Sequence, residues 1–196
     1  MKVLLIGATG TLGLAIGEVL AAAHDVIRVG NRTGNYRVDI SDEQSVLELF
    51  DKVGRIDAIV SAAGNTHFSS FLQMTTEQFN NGLQSKLLGQ VRLVLLGHPY
   101  LNDRGSITVT TGILGQSPIR YASNATTVNA ALEGFVRAAA IELPRGIRIN
   151  AVSPTVVCES WEKYGAFFAG FEPMPAQRVA LAYRRSIEGA QTGQVY

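Results

Sequence analysis

Short apolar runs alternate along the chain with longer segments in which apolar residues recur at helical spacing. Continuous apolar runs predict buried strands, and the helical spacing predicts amphipathic helices. Strands are predicted at 3–6, 26–29, 37–40, 58–63, 106–110 and 148–152, with 194–196 as a closing strand. Helices are predicted at about 12–23, 46–53, 75–96, 128–143 and 176–187.

This alternation of strands and helices predicts a parallel sheet whose crossover helices cover both faces. The sequence contains no internal repeat, no low-complexity tract and no Pro/Gly-rich linker. Against roughly 150 residues per domain, 196 residues are best accounted for by one large domain. We therefore predict a single α/β domain over 1–196, a doubly wound, Rossmann-type parallel sheet of about seven strands.

Two of the predicted helices begin with the pattern of a capping box, in which two side chains satisfy backbone donors at the helix start. Ser41 and Gln44 form this pattern before the second helix, and Thr75 and Gln78 form it before the third. The sequence thus predicts helix starts at 41–44 and 75–78.

Composition and charge narrow the class of protein. Hydrophobic residues make up 46% of the chain and charged residues 17%, enough to form a packed core. The net charge is +1 with no run of like charges, which argues against a nucleic-acid-binding or membrane-surface protein. The lone Cys158 excludes an internal disulfide. His24, His67 and His98 are scattered, so no metal site is predicted.

The apolar run at 3–6, near the N-terminus, is relevant to the localisation of the protein. It could imitate a signal peptide, but it ends at Gly7, and Glu18 interrupts the segment that follows. It is also far shorter than the ~18 apolar residues of a membrane span. We therefore predict a cytoplasmic protein without membrane association.

A glycine-rich turn follows the first predicted strand. Its sequence is Gly7-Ala8-Thr9-Gly10-Thr11-Leu12-Gly13, and the first helix begins within it. Such a turn brings backbone N–H groups and a helix N-terminus to a pyrophosphate. Contacts to a dinucleotide are predicted from Gly7, Thr9, Gly10, Thr11, Leu12 and Gly13. The alternative is a tight strand-to-helix turn without a ligand.

The end of the second predicted strand indicates which dinucleotide is bound. An acidic residue there would accept hydrogen bonds from a ribose 2′-hydroxyl, but the strand ends in Asn31 and Arg32. The Arg32 guanidinium suits a 2′-phosphate. The sequence therefore favours NADP(H) over NAD(H), with Asn31 and Arg32 near the adenosine ribose. The alternative is that Arg32 is solvated and has no ligand.

Several further motifs accompany the glycine turn. They are Val38-Asp39-Ile40, Ser61-Ala62-Ala63-Gly64, Asn129 to Phe135, Ala140 to Leu143, Arg145 to Asn150, Val152-Ser153-Pro154 and Thr192-Gly193-Gln194. In combination the chain resembles the short-chain dehydrogenase/reductase family over nearly its whole length. The resemblance implies cofactor contacts from Asp39, Ile40, Ala62, Ala63, Gly64, Pro154 and Thr155.

The resemblance also implies hydride transfer between a nicotinamide and a small carbonyl or alcohol, and a homodimer or homotetramer. Family members place a substrate lid where this chain has about 155–175. The long helices often form the family's oligomer contacts, and the apolar stretch 83–96 is consistent with that.

The family's catalytic set is Asn, Ser, Tyr and Lys, and this chain departs from it. By the resemblance, Lys86 stands in the Asn position, Thr111 in the Ser position, Ala125 in the Tyr position and Asn129 in the Lys position. Ala125 cannot donate a proton. Lys86 and Asn129 either face each other as a polar pair, or Lys86 extends to solvent and Asn129 is satisfied elsewhere.

Two residues are candidates to replace the missing proton donor. Tyr121 would need Lys86 close by to become a useful acid, and Lys86 itself is the second candidate. Thr111 would align the substrate oxygen. The predicted function is an NADP(H)-dependent oxidoreductase with a rearranged site composed of Thr111, Lys86, Asn129 and Tyr121. The alternative is a non-catalytic NADP(H) sensor or interaction protein on the same fold.

Overall fold

A computed structural model describes all 196 residues, in which strands and helices alternate as predicted. The strands are β1 Lys2–Ile6, β2 Asp25–Gly30, β3 Tyr36–Arg37, β4 Ile56–Ser61, β5 Leu101–Thr110 and β6 Arg148–Val152. The helices are α1 Thr11–Ala21, α2 Glu43–Val53, α3 Thr76–Gly82, α4 Gly89–Gly97, α5 Ser123–Glu142, α6 Trp161–Tyr164 and α7 Ala176–Glu188. None of them is both long and apolar enough to cross a membrane.

The six strands form one parallel sheet in the order β3-β2-β1-β4-β5-β6. The chain runs outward from β1 to β3 and then returns to β4 on the other side of β1. A parallel sheet opens a crevice at the carboxyl ends of the strands where the direction of winding changes. The fold therefore places a ligand crevice at the ends of β1 and β4, and the predicted doubly wound α/β fold is confirmed.

Side chains that alternate along β1 divide the core into two layers. Leu4 and Ile6 pack with apolar residues of α2, α4 and α5, whereas Val3 and Leu5 pack with those of α1 and α7. Every one of these four side chains is buried. The alternation follows from the strand period of two and explains why β1 is a continuous apolar run in the sequence.

The edges of the sheet differ from the prediction. The third strand is only Tyr36–Arg37, rather than 37–40, because the chain turns toward α2 at Asp39. There the Asp39 N–H donates to the Ser45 hydroxyl, at 3.0 Å. At the other edge, 194–196 lies beside β6 but forms only one isolated bridge, between Val195 and Ala151. The segment therefore lies where a seventh strand would pair with β6, but one bridge is too little pairing to make it a strand.

The two predicted capping boxes have different outcomes. Thr75 and Gln78 form both reciprocal hydrogen bonds, and α3 begins directly after Thr75 as predicted. The box predicted for Ser41 is wrong. Asp42 is the cap of α2 and accepts from the Gln44 N–H, whereas the Ser41 hydroxyl donates to the Asp39 carboxylate. The nearby carboxylate is the stronger acceptor for that hydroxyl.

The long helix predicted for 75–96 is continuous but not uniformly α-helical. A π-helical segment, Leu83–Leu88, lies between α3 and α4, and the Gly89 N–H donates to the Gln84 carbonyl oxygen five residues earlier. Hydrogen bonds of this spacing are rare and are found mostly at functional sites. Lys86 lies within this segment, beside the carboxyl ends of β4 and β5.

Candidate functional site

The glycine turn holds the carboxyl end of β1 against that of β4. Gly7 has φ +82°, and a Cβ on it would lie 2.5 Å from the Ala62 carbonyl oxygen. A Cβ on Gly13 would lie 2.0 Å from the Gly7 carbonyl oxygen, closer than any real contact. These two positions therefore require glycine, because only a bare backbone fits the turn.

The N-terminus of α1 points out of this turn with unfilled donors. The helix begins at Thr11, its cap residue Gly10 supplies no side-chain acceptor, and no acidic side chain lies in the first turn. The first N–H groups of a helix carry partial positive charge and favour an anion. The turn is thus suited to a pyrophosphate, and the residues present fit a dinucleotide.

A cleft of about 470 Å³ opens on one side of the glycine turn, and we call it the Asp39 cleft. The predicted cofactor residues that line it are Gly7, Thr9, Gly10, Asn31, Asp39, Ile40, Ala62, Ala63 and Gly64. The Asp39 carboxylate accepts from the Ser41 hydroxyl at 2.6 Å and the Ser41 N–H at 2.9 Å, and these bonds lower its pKa. Asp39 therefore faces the cleft as an ionised acceptor.

Arg32 lies on the loop after β2 and does not line the cleft. Its side chain is exposed and forms no hydrogen bond or ion pair within the chain. The guanidinium is therefore available to an incoming anion. Of the other predicted cofactor residues, Gly13 shapes the turn from within, and Thr11, Leu12, Pro154 and Thr155 lie on the opposite side of the turn.

That opposite side holds a second cavity, of about 320 Å³, which we call the Lys86 cavity. Lys86 is the only charged side chain among its lining residues, and no carboxylate faces it. The other residues assigned from the sequence to catalytic positions also line it: Thr111, Ala125 and Asn129. Its apolar wall is made by Phe68, Ile113, Leu114, Val156, Tyr164 and Phe168.

Lys86 reaches across the cavity to the end of β5. Its Nζ donates to the Thr111 carbonyl oxygen at 2.9 Å, so the side chain does not extend to solvent. Loss of hydration disfavours the charged ammonium and lowers the pKa of Lys86 from 10.5 to about 8. A lysine of this pKa exchanges its proton near neutral pH.

Asn129 lies in the same cavity, but no hydrogen bond joins it to Lys86. It is 3% exposed, and its Oδ1 atom is buried without a partner. A buried amide oxygen without a hydrogen bond costs free energy. The structure thus brings Lys86 and Asn129 to one cavity as two separate polar groups.

Tyr121 is not brought into this cavity. It is 47% exposed, with φ +67°, and its ring contacts the edge of Phe167 at 6.2 Å between centroids. The positive φ turns the chain just before α5 and directs the ring to the surface. No contact links Tyr121 with Lys86, Thr111 or Asn129.

The predicted lid segment consists of short helical turns. Its Tyr164 and Phe168 line the Lys86 cavity, whereas Trp161 and Phe167 are 40% and 39% exposed and do not. A bridge between Val157 and Met174 closes the segment at its base. Two of the four aromatic side chains at 161–168 therefore line the cavity, and the other two do not.

Comparison with known proteins decides the family. Residues 14–185 match a family model described as "Enoyl-(Acyl carrier protein) reductase". The chain belongs to the short-chain dehydrogenase/reductase family. The resemblance inferred from its motifs is confirmed.

Among curated relatives of this short-chain dehydrogenase/reductase, human L-xylulose reductase is 27% identical over 157 residues, which is 78% of this chain. The chain spans 64% of that reductase, less than two thirds of its length.

Two solved structures are close to it over the whole chain. The protein lin1944 from Listeria innocua is 49% identical with a TM-score of 0.98, over 100% of this chain and 98% of that one. A small-chain dehydrogenase in complex with NADPH is 26% identical with a TM-score of 0.90, over 100% and 94%.

Proposed function

We propose that the protein binds NADP(H) and catalyses hydride transfer between the nicotinamide and a small carbonyl or alcohol. Support comes from the Asp39 cleft and the Lys86 cavity, which meet at the glycine turn, as a dinucleotide site requires. The family is one of oxidoreductases, and a relative of 26% identity was solved with NADPH. In this proposal Gly10, Thr11 and Leu12 surround the pyrophosphate and Asp39 faces the adenine.

The preference for NADP(H) rests on the loop after β2. Arg32 is exposed and unpaired beside the Asp39 cleft, and no acidic residue follows the strand until Asp39. A guanidinium forms strong charge-assisted hydrogen bonds with a phosphate. We therefore assign Arg32 to the 2′-phosphate, with Asn31 beside the ribose.

One observation carries the catalytic proposal: the Lys86 ammonium is held inside the cavity by the Thr111 carbonyl oxygen, at 2.9 Å. At pH 7 a group of pKa about 8 is mostly protonated yet gives up its proton readily. Lys86 would therefore donate the proton to the substrate oxygen during carbonyl reduction. Tyr121, the other candidate, lies outside the cavity.

Thr111 and Asn129 supply the neutral polar groups of this site. The Thr111 hydroxyl makes only a long hydrogen bond, 3.3 Å, to the Val152 carbonyl oxygen, and so is available to orient a substrate oxygen. The Asn129 amide lines the same cavity. Because one wall of the cavity is apolar, the substrate class that fits is a small carbonyl compound with a hydrocarbon or aromatic side.

The alternative function is non-catalytic NADP(H) sensing. It is favoured by Ala125, which is 2% exposed and offers no proton where the family has tyrosine. The clefts at the glycine turn support sensing and catalysis equally. Only turnover distinguishes them.

We also propose a homodimer or homotetramer through α4 and α5. Leu88, directly before α4, Leu95 of α4 and Ile141 of α5 are exposed at 38%, 57% and 86%. Exposed apolar groups of this size favour burial against a partner. Sedimentation at several protein concentrations tests this; a monomer at all of them would contradict it.

The function is tested by titrating the protein with NADPH and NADH, then following absorbance at 340 nm with aldehydes, ketones and quinones. We expect tighter binding of NADPH and its oxidation by at least one apolar carbonyl compound. Binding of NADPH without any turnover would support the sensor. Absence of nucleotide binding would exclude both functions.

A further inference from the structure

Gln90 is a buried polar side chain that the proposed function does not use. It is the second residue of α4 and has no exposed surface. Its Oε1 accepts from the Thr110 N–H at 2.8 Å, and its Nε2 donates to the Thr110 carbonyl oxygen at 2.8 Å. The same Nε2 lies 3.2 Å from the Lys86 carbonyl oxygen. One amide thus connects the end of β5 with the backbone of Lys86.

The pair of bonds to Thr110 replaces a strand partner. The Thr111 N–H donates to Val152 of β6, so Thr110, one residue earlier, directs its N–H and carbonyl to the opposite side, toward β4. The pairing of β4 with β5 extends only to Val60 and Thr108. Without Gln90, both backbone groups of Thr110 would be buried and unpaired.

Together with the Lys86–Thr111 bond, these bonds form a closed ring that passes through Lys86. From Lys86 the ring runs through its carbonyl oxygen to Gln90, from Gln90 to Thr110, along the chain to Thr111, and back to the Lys86 Nζ. Lys86 belongs to the π-helical segment, whose backbone hydrogen bonds differ from those of an α-helix. Gln90 therefore holds the two elements that determine where the Lys86 ammonium lies.

We propose that Gln90 is a positioning residue for Lys86: its amide fixes the π-helical segment to the end of β5 and so keeps the Lys86 Nζ on the Thr111 carbonyl oxygen. The effect on turnover rests on the proposed function, whereas the effect on Lys86 itself does not. Besides Lys86, Tyr164 of α6 is the only titratable acid or base that lines the cavity. No neighbouring carboxylate can hold the ammonium in its place.

The test compares Gln90→Met with Gln84→Met. Gln84 lies in the same π-helical segment, but its amide contacts only Asn80, at 3.4 Å. The rate at which Lys86 is acylated by a small reagent is measured against pH by peptide mass spectrometry. We expect a midpoint near pH 8 in the wild-type protein and in Gln84→Met.

In Gln90→Met we expect the midpoint to rise by about one unit or more, because the released ammonium reaches water, so acylation at pH 8 falls about fivefold or more. If the protein is a reductase, kcat falls about 10- to 100-fold, since a displaced group loses its alignment, with a smaller change in KM. Gln90→Asn, which keeps a neutral amide but is one methylene too short to keep all three hydrogen bonds, should give intermediate values.

A lower melting temperature with an unchanged Lys86 midpoint would show that Gln90 is only structural and would overturn the proposal. If Gln90→Met does not fold, the midpoint of Gln90→Asn is compared with that of the wild type instead, and an unchanged value again overturns the proposal. A shifted midpoint in a protein that never oxidises NADPH would support the positioning role and refute the reductase. The two proposals therefore fail independently.

Discussion

The Lys86 ammonium donates a hydrogen bond to the carbonyl oxygen of Thr111, 2.9 Å away, in a cavity that both residues line. This contact joins the π-helical segment to the end of β5 and keeps a titratable group in place without a carboxylate partner. Its position departs from that of the family's catalytic lysine, which the resemblance places at Asn129.

A partly buried lysine whose ammonium has lost hydration lowers stability, and Lys86→Met should show it. The pKa of Lys86 is depressed, so below pH 8 the folded protein bears the full cost of this lost hydration. We expect the variant to be more stable by about 1–2 kcal/mol at pH 7, after loss of the hydrogen bond to Thr111. As the pH rises, Lys86 loses its proton in the folded state before it does so in the unfolded state. The gain in stability should therefore shrink between pH 8 and 10.5.

Chemical denaturation of both proteins at pH 7 and pH 10 measures the difference. A gain that is equal at the two pH values would contradict the assigned pKa. A variant less stable than the wild type at pH 7 would show that the hydrogen bond outweighs the buried charge.

Gly13 and Gly134 offer a matched pair for the nucleotide turn. A Cβ on Gly13 would collide with the Gly7 carbonyl oxygen, whereas nothing lies within 4 Å of one on Gly134, in α5. We expect Gly13→Ala to weaken NADPH binding at least tenfold, and Gly134→Ala to raise stability by about 0.5–1 kcal/mol with unchanged binding. Calorimetric titration and thermal melts measure both. Full-affinity binding by Gly13→Ala would contradict the assignment of the turn.

Arg32→Ala tests the choice of cofactor. Loss of a charge-assisted contact to the 2′-phosphate should weaken NADPH binding by about 1.5–3 kcal/mol, some 10- to 100-fold, and leave NADH binding nearly unchanged. Arg137→Ala is the control, since Arg137 is exposed on α5 and also unpaired. An equal loss of affinity for NADPH and NADH, or no loss for NADPH, would contradict the assignment of Arg32 to the 2′-phosphate.

Much of the fold could be predicted from the sequence because its strands are buried on both faces. Runs such as 3–6 and 148–152 mark buried strands, and the structure has them within one residue. The edges were less predictable. At the β3 edge the Ser45 hydroxyl accepts from the Asp39 N–H and the Asp39 carboxylate accepts from the Ser41 N–H. These side chains bind backbone groups that a strand would use, and this competition leaves no signal in the apolar pattern.

The parts of the site that the sequence predicted are those where the backbone geometry allows only one residue type. Gly7 and Gly13 are of this kind, and their turn lies where the sequence puts it. Residues whose role depends on tertiary contacts were not predictable from the sequence. Gln90 looks like an ordinary helix residue in the sequence, and Tyr121 looks like a possible acid until its φ of +67° directs it to the surface.

The double variant Ala125→Tyr with Asn129→Lys restores the family's usual tyrosine and lysine. Both positions line the Lys86 cavity, so the new side chains would enter the site. If the catalytic positions are assigned correctly, the variant should gain reductase activity by about tenfold or more, because a tyrosine acid activated by lysine is added. A variant that still binds NADPH but gains nothing would show that the assignment or the geometry of the site is wrong.

The most direct test is the pH dependence of NADPH oxidation by the wild type and by Lys86→Met, with Lys52→Met as an exposed control. Reduction needs the protonated amine, so we expect the wild-type rate to fall above about pH 8. We expect Lys86→Met to lose about 100-fold or more in kcat/KM while binding NADPH as before. A Lys86→Met variant with the wild-type rate and pH profile would contradict the role of Lys86 as proton donor.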